Sequence, residues 1–512
     1  MKQLKLFVAA CALVGSPVLA QPSESPAEID ASNMTDAELF AALDDREKPW
    51  YSNSCSIGVP VFSELDRRMP DPARFKHGLV YSEALCASER DEYELGARKV
   101  AELEKIAPDT DYTFLALYFE GKTGNAQAVL DRFRSLSDAQ LAELGRDRFW
   151  ASVRMLREKG RIEQFEDQAL QWFSDGKLAV FPSELEGGIV SNALDAAVRQ
   201  EKLEQVDGLL RLIRDPSSYI HLLANRKYEP IWPRIEERAG PNLKPISEEY
   251  SFWAEARLEN NESDRDRFSD AAHGLYFEGR YEDAIALAQK WRERNGTLKN
   301  IEEGDGWALN IQAYAYDAIG QRAKADAVFD DLAGLDPDAN PWVVSFVINR
   351  ASRLIGHDRW EDGLAANALA GQVAGNYGSQ FAKMIIARNN VCALQNLGRA
   401  DEIDGDLEFL RNNWEVSQSL AAQALQCAGQ NEEAARVLQS ALADDRYRET
   451  AIGALQPKKF ELFYTPSNLP QNEELLSQFP ELRADLYRYG RIIPDEFTPI
   501  AFLSRKNASQ IR

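Results

Sequence analysis

A phrase that returns along the chain constrains its fold more than any other feature. In its strongest copy it runs Ala308-Leu309, Ala313, Tyr316, Gly320, Ala325, Phe329, Leu332, Asp336-Pro337. It reads as one helix, a tight turn at Gly320, a second helix and a proline stop. With the turn as register mark, equivalent positions fall at Asp91, Gly124, Gly160, Glu201, Gly279, Gly320, Asp358, Gly398 and Gly429. Neighbouring marks lie 31 to 41 residues apart, save across the interval from Glu201 to Gly279. A period of that size specifies a stack of helix pairs, each burying its apolar face on its neighbours, rather than one globular core.

The chemistry of the phrase is local. A residue with positive φ reverses the chain between two antiparallel helices, a conformation that glycine adopts without a Cβ clash. A small residue in the second helix (Gly96, Ala284, Ala325, Ala434) lets the two helices approach closely. Val100 with Leu103, and Phe329 with Leu332, continue an apolar stripe at helical spacing. Pro108 and Pro337 end their units because proline cannot donate the next backbone hydrogen bond.

The copies at 76–109, 305–338 and 414–447 resemble tetratricopeptide repeats, helix-turn-helix units of about 34 residues. The resemblance departs from the family pattern at Val129, Phe165 and Val206, where a small residue is usual, and the family's first-helix Trp and Gly are mostly absent. It implies an all-α fold: a right-handed superhelix of antiparallel helix pairs in two blocks, closed by an irregular C-terminal cap. It also implies that the surface formed by the first helices holds a protein or peptide partner. Candidate contact residues there are Tyr276, Asn310, Tyr314, Asn349, Arg353, Arg388 and Asn389. On that reading, substituting Asn310, Asn349 and Asn389 together abolishes capture without lowering thermal stability.

The segments follow from this register. Residues 1–20 read as a secretory signal: Lys2 and Lys5, an apolar stretch from Leu6 to Val14, and small residues ahead of Gln21. A competing reading takes Val8-Ala9-Ala10-Cys11 as a lipoprotein box that would anchor the chain through Cys11. Residues 21–75 form a leader and irregular segment, in which Thr35 caps a short helix with Glu38 three residues on. A first helical block covers 76–214. A Pro-rich connector follows at 215–247, with Tyr228, Ile231 and Trp232 plugging a joint. The second block covers 248–445, and 446–512 is the cap, rich in both proline and aromatics; its alternative is a docking element.

Four cysteines follow the signal: Cys55, Cys86, Cys392 and Cys427. An even count in an exported chain suggests two disulfides. Of the three pairings, Cys55–Cys86 and Cys392–Cys427 are favoured, because each pair lies about one repeat apart. The formal charge is −23 over the whole sequence. No basic patch offers a grip on phosphate backbones, so nucleic acid is not an expected partner. No apolar run approaches the length of a membrane span.

Sites of chemistry are absent from the pattern. His77, His221, His273 and His357 stand singly, and Gly121-Lys122-Thr123 lacks the leading glycine of a phosphate loop. No catalytic residue, metal ligand or cofactor site is assigned, and the chain reads as a non-catalytic periplasmic or secreted scaffold. The alternative is a polysaccharide-binding or carbohydrate-active helical protein, for which the ten tryptophans provide potential sugar-stacking faces. Exposed Trp in one groove supports that alternative, and buried Trp supports the scaffold.

Overall fold

The computed structural model describes residues 28–69, 74–261, 264–296, 298–463 and 467–505. The expected signal at 1–20 and Cys11 lie outside them. Twenty-eight α-helices, several 3-10 turns and one π-helical segment, Ser54–Gly58, make up most of the described residues, and an isolated bridge between Asn225 and Gly490 is their only β pairing. The chain divides into two compact units, Met1–Glu201 and Lys202–Arg512. The division falls at the Glu201 turn, so the helices on either side of that turn belong to different units.

The helices of the first unit are α1 (Asp36–Asp44), α2 (Val59–Arg68), α3 (Arg74–Glu89), α4 (Tyr93–Ile106), α5 (Thr113–Lys122), α6 (Ala126–Ser135), α7 (Asp138–Ala142), α8 (Arg146–Glu158), α9 (Ile162–Ser174) and α10 (Ser183–Arg199). Thr35 and Glu38 cap α1 reciprocally: the Thr35 hydroxyl accepts from the Glu38 amide, and the Glu38 carboxylate accepts from the Thr35 amide at 2.6 Å. The stretch 45–75, expected to be irregular, contains α2. Its Pro60 sits in the first turn of that helix, where no intrahelical N–H is lost. Cys55 is bonded to Cys86 of α3, which fastens the turn before α2 to the first repeat.

In the second unit run α11 (Leu203–Leu212), α12 (Pro216–Ala224), α13 (Trp232–Ala239), α14 (Lys244–Asn260), α15 (Arg265–Phe277), α16 (Tyr281–Asn295), α17 (Glu303–Ala318), α18 (Arg322–Ala333), α19 (Val344–Gly356), α20 (Trp360–Tyr377), α21 (Gln380–Asn396), α22 (Asp404–Asn412), α23 (Gln418–Cys427), α24 (Asn431–Ala443), α25 (Arg448–Ala454), α26 (Leu475–Gln478), α27 (Pro480–Tyr489) and α28 (Ile500–Leu503). Cys392 of α21 is bonded to Cys427 of α23, joining two neighbouring first helices. Two disulfides suit an oxidising compartment.

All nine register marks have positive φ, from 56° at Glu201 to 80° at Gly320. After the glycine turns the chain closes a Schellman-type cap. At Gly279, for example, its N–H bonds Tyr276 O and the next N–H, of Arg280, bonds Leu275 O at 2.9 Å. Asp91, Glu201 and Asp358 take the same left-handed conformation despite their Cβ. Close approach shows at Gly96: a Cβ there would lie 2.0 Å from Phe119 Cε1. One continuous apolar core spans α15 to α21, with Tyr276, Ala308, Phe329 and Phe346 fully buried in it.

The tail does more than cover the last pair. Helices α25 and α27 pack on α24, and from there the chain returns to the start of the second unit. The Arg491 amide bonds Ala224 O, its Nε bonds Leu223 O at 2.7 Å, and its guanidinium stacks 3.7 Å over Trp232. Asn242 Nδ2 donates to Thr498 O, and the Tyr281 hydroxyl to Ala501 O. The connector aromatics are thus covered by the tail of their own unit. No described helix is long and apolar enough to cross a membrane.

Candidate partner-binding face

The first helices of the second unit's pairs lie side by side in chain order. Helix α15 packs on α17, α19 on α21, and α21 on α23. Between α17 and α19, Trp307 meets Phe346 edge-on at 5.0 Å. Polar side chains bond between these neighbouring helices. Asn349 Nδ2 donates to Asn310 Oδ1 at 3.1 Å, and the Arg388 guanidinium donates to Gln423 Oε1.

The structure places the seven sequence candidates largely inside this ladder. Tyr276, Asn310, Arg353 and Asn389 are buried. Tyr314, Asn349 and Arg388 are half-buried. Tyr276 Oη accepts from Arg505 Nη2 at 2.7 Å. Arg353 is held by both oxygens of Asp317 and by Asp326. Asn389 donates to Ser352 Oγ at 3.0 Å and to Asn367 Oδ1 at 3.1 Å. Burial holds the Tyr314 phenol far above its ordinary pKa, against a hydrogen bond with Asn310 that lowers it. The triple asparagine substitution is therefore corrected: with Asn310 and Asn389 buried and bonded, it removes internal hydrogen bonds and lowers stability.

Residues beyond the sequence candidates complete the face, and most come from the tail. Gln423 Nε2 donates to Pro470 O at 2.8 Å, and Gln426 Nε2 to Asn472 Oδ1 at 2.8 Å. The Asn468 amide donates to Gly356 O at 2.9 Å. Leu462 joins the core of α15 to α21, and Phe463 meets Phe277 and His273 edge-on at 4.9 and 5.2 Å. Leu462, Phe463, Asn468, Pro470 and Asn472 thus lie against the first helices. Gln423 stands six residues before its turn at Gly429, whereas Arg388 stands ten before Gly398, so the turn register does not single it out; the tail residues carry no periodic signal either.

Ionisable groups gather where tail and row meet. Burial pushes the Glu461 carboxyl up, in spite of the opposing charges of Lys458, Arg388 and Arg505. Burial likewise raises Glu473 and lowers Lys458. Arg388 is brought down to about 10, again by burial, with Glu461 opposing. The side chains of Glu461 and Phe463 reach solvent.

Elsewhere, a cavity of about 260 Å³ opens beside Phe268, Leu275 and Trp291, below the range of about 300–1,000 Å³ usual for small-molecule sites. No group of three or more His, Cys, Asp or Glu gathers to hold a metal ion among the described residues. None of the ten tryptophans is exposed: Trp172 and Trp291 are buried and the others half-buried. In comparisons with known proteins, no family model matches the chain and no curated protein matches it significantly.

Proposed function

We propose that this chain is an exported, non-catalytic scaffold of the tetratricopeptide-like class. Its helix pairs wind as a right-handed superhelix, and the first-helix face of the second unit holds a protein or peptide partner. The observation that carries this reading is that polar side chains bond between successive first helices, Asn349 to Asn310 and Arg388 to Gln423. Repeat arrays bind extended partners along such a face. The nine turns of positive φ support the repeat assignment. The disulfides support export to the periplasm or beyond, where such scaffolds serve envelope assembly, secretion or polymer export. The absence of exposed tryptophan weighs against the polysaccharide alternative.

Photo-crosslinkers at Tyr314, Asn349 and Arg388, with a control at exposed Leu369 of α20, test this in the native envelope. One dominant protein crosslinked from the row and absent from the control supports the scaffold. Equal labelling from both positions, or labelling of glycan alone, overturns it.

A further inference from the structure

The cavity beside Phe268 lies within the second unit, between α14 and α16 and over α15. Its floor is apolar. Phe268, Ala271 and Leu275 of α15 and Trp291 of α16 are buried there, and the Phe268 and Trp291 rings stack at 6.2 Å. At about 260 Å³ it is small for a drug-sized ligand, yet roomier than the dry cavity of about 150 Å³ that admits benzene. The floor has space for one large apolar side chain.

The rim carries charge of both signs, sorted by wall. Glu255 and Glu259 stand on α14, and Lys290 and Arg294 on α16. Glu255 is engaged by Arg280 at 2.8 Å, and Arg265, the rim cation of α15, by Asp305 at 3.3 Å. Glu259 and Lys290 are exposed and make no ion pair among the described residues, with each other or with any other group. Other charges of the same two helices close on a neighbour, as Arg257 does on Asp270 and Arg292 on Asp331. Here the opening holds two opposite charges apart above an apolar floor. An anion alone would meet Glu259 uncompensated, and a cation alone would meet Lys290. A molecule with both charges close together and an apolar group below them satisfies the floor and the two walls at once.

We propose that this cleft is a binding site for a free α-amino acid with a large apolar side chain. The side chain enters among Phe268, Leu275 and Trp291, the α-ammonium faces Glu259 and the α-carboxylate faces Lys290. The assignment is independent of the scaffold reading, which crosslinking from Tyr314, Asn349 and Arg388 tests and amino-acid titration does not.

Calorimetric titration of the full chain with L-phenylalanine, near neutral pH and at constant ionic strength, provides the test. Saturable binding at one site per chain is expected. Glycine, which lacks the side chain, binds at least about tenfold more weakly. Hydrocinnamate lacks the ammonium and phenethylamine the carboxylate, and each binds at least about threefold more weakly than phenylalanine. Glu259→Gln weakens phenylalanine and phenethylamine but not hydrocinnamate; Lys290→Gln weakens phenylalanine and hydrocinnamate but not phenethylamine. Both side chains are exposed, so neither exchange burdens the fold. No saturation by about 10 mM, or unchanged phenylalanine affinity in either variant, overturns the assignment. So does equal affinity for N-acetylphenylalaninamide, an uncharged stand-in for a residue within a polypeptide, because the cleft would then anchor a partner's side chain.

Discussion

Replacing Arg353 by methionine separates a structural from a binding role for the row. Its side chain and that of Asp317 are each 2% exposed and share two hydrogen bonds, with Asp326 on the remaining Nη. Removing the guanidinium strands the Asp317 carboxylate in the core, with only His357 Nε2 at 3.9 Å as a cationic partner when protonated. Breaking one side of a buried pair costs about 3–5 kcal/mol. The second unit, Lys202–Arg512, has an unfolding entropy of about 0.65 kcal/mol/K at the usual value per residue, so Tm falls by about 5–8 °C. The double variant Asp317→Leu with Arg353→Met removes both charges and recovers to within about 1–2 kcal/mol of the parent. The pH dependence has a definite sign. Burial pushes the Asp317 carboxyl up, but the bonds and charges of Arg353 and His357 outweigh it and hold the folded pKa below the ordinary value. A carboxyl depressed on folding stabilises above its unfolded pKa of about 4, and that stabilisation is lost as pH falls. The gap between parent and Arg353→Met is therefore widest near neutral pH and narrows below about pH 4. Urea unfolding of all three proteins from pH 3 to 7 measures it. A single-variant loss under about 1 kcal/mol, or a double variant no better than the single, refutes the reasoning.

Other perturbations have equally defined outcomes. Gly96→Ala drives a Cβ into the buried Phe119 ring; it costs about 1–2 kcal/mol net of its helix-propensity gain and is relieved by Phe119→Leu, as a denaturant double-mutant cycle will show. Gly187→Ala, in α10 with nothing within 4 Å of the new Cβ, instead stabilises by about 0.5–1 kcal/mol, and a loss of stability contradicts the open space. Cys392→Ala with Cys427→Ala opens a link between residues 35 apart and lowers stability by up to about 4 kcal/mol in the chain-entropy model; identical urea midpoints with and without reductant count against it. Arg491→Ala removes the bonds to Leu223 O and Glu236 and the stack on Trp232. It destabilises by about 2–3 kcal/mol and speeds amide exchange in α12 and α13; unchanged exchange there shows that the return of the tail is held by other contacts.

The repeat register was legible because its physical demand is local. A left-handed residue must end each first helix, and six glycines meet that demand at the nine turns. The Thr35–Glu38 cap was legible for the same reason. Pro60 misled, because proline signals a break but is harmless in a first turn. The face was legible only as a list of positions. Asn310 and Asn389 recur at repeat spacing whether they meet a ligand or the next helix, and only the packing showed that they meet Asn349, Ser352 and Asn367. The tail was the least legible part. Its irregular stretches dock through individual bonds, such as Asn468 to Gly356 O and Arg491 to Leu223 O, and no periodicity announces a contact between residues so far apart in the chain.

That return of the tail has a consequence for the order of folding. A linear array can fold from any repeat outward, because each needs only its neighbour. Here α12 and α13 complete their contacts with Gly490 and Arg491, which follow them far along the chain. Their closure spans 268 residues from Leu223 to Arg491, a contact order far above that of an open repeat array. The early helices of the second unit therefore wait with part of their surface uncovered until the segment around Arg491 arrives. If the chain is threaded N-terminus first into an oxidising compartment, Cys392 and Cys427 enter and can pair before Arg491 is present to close those contacts.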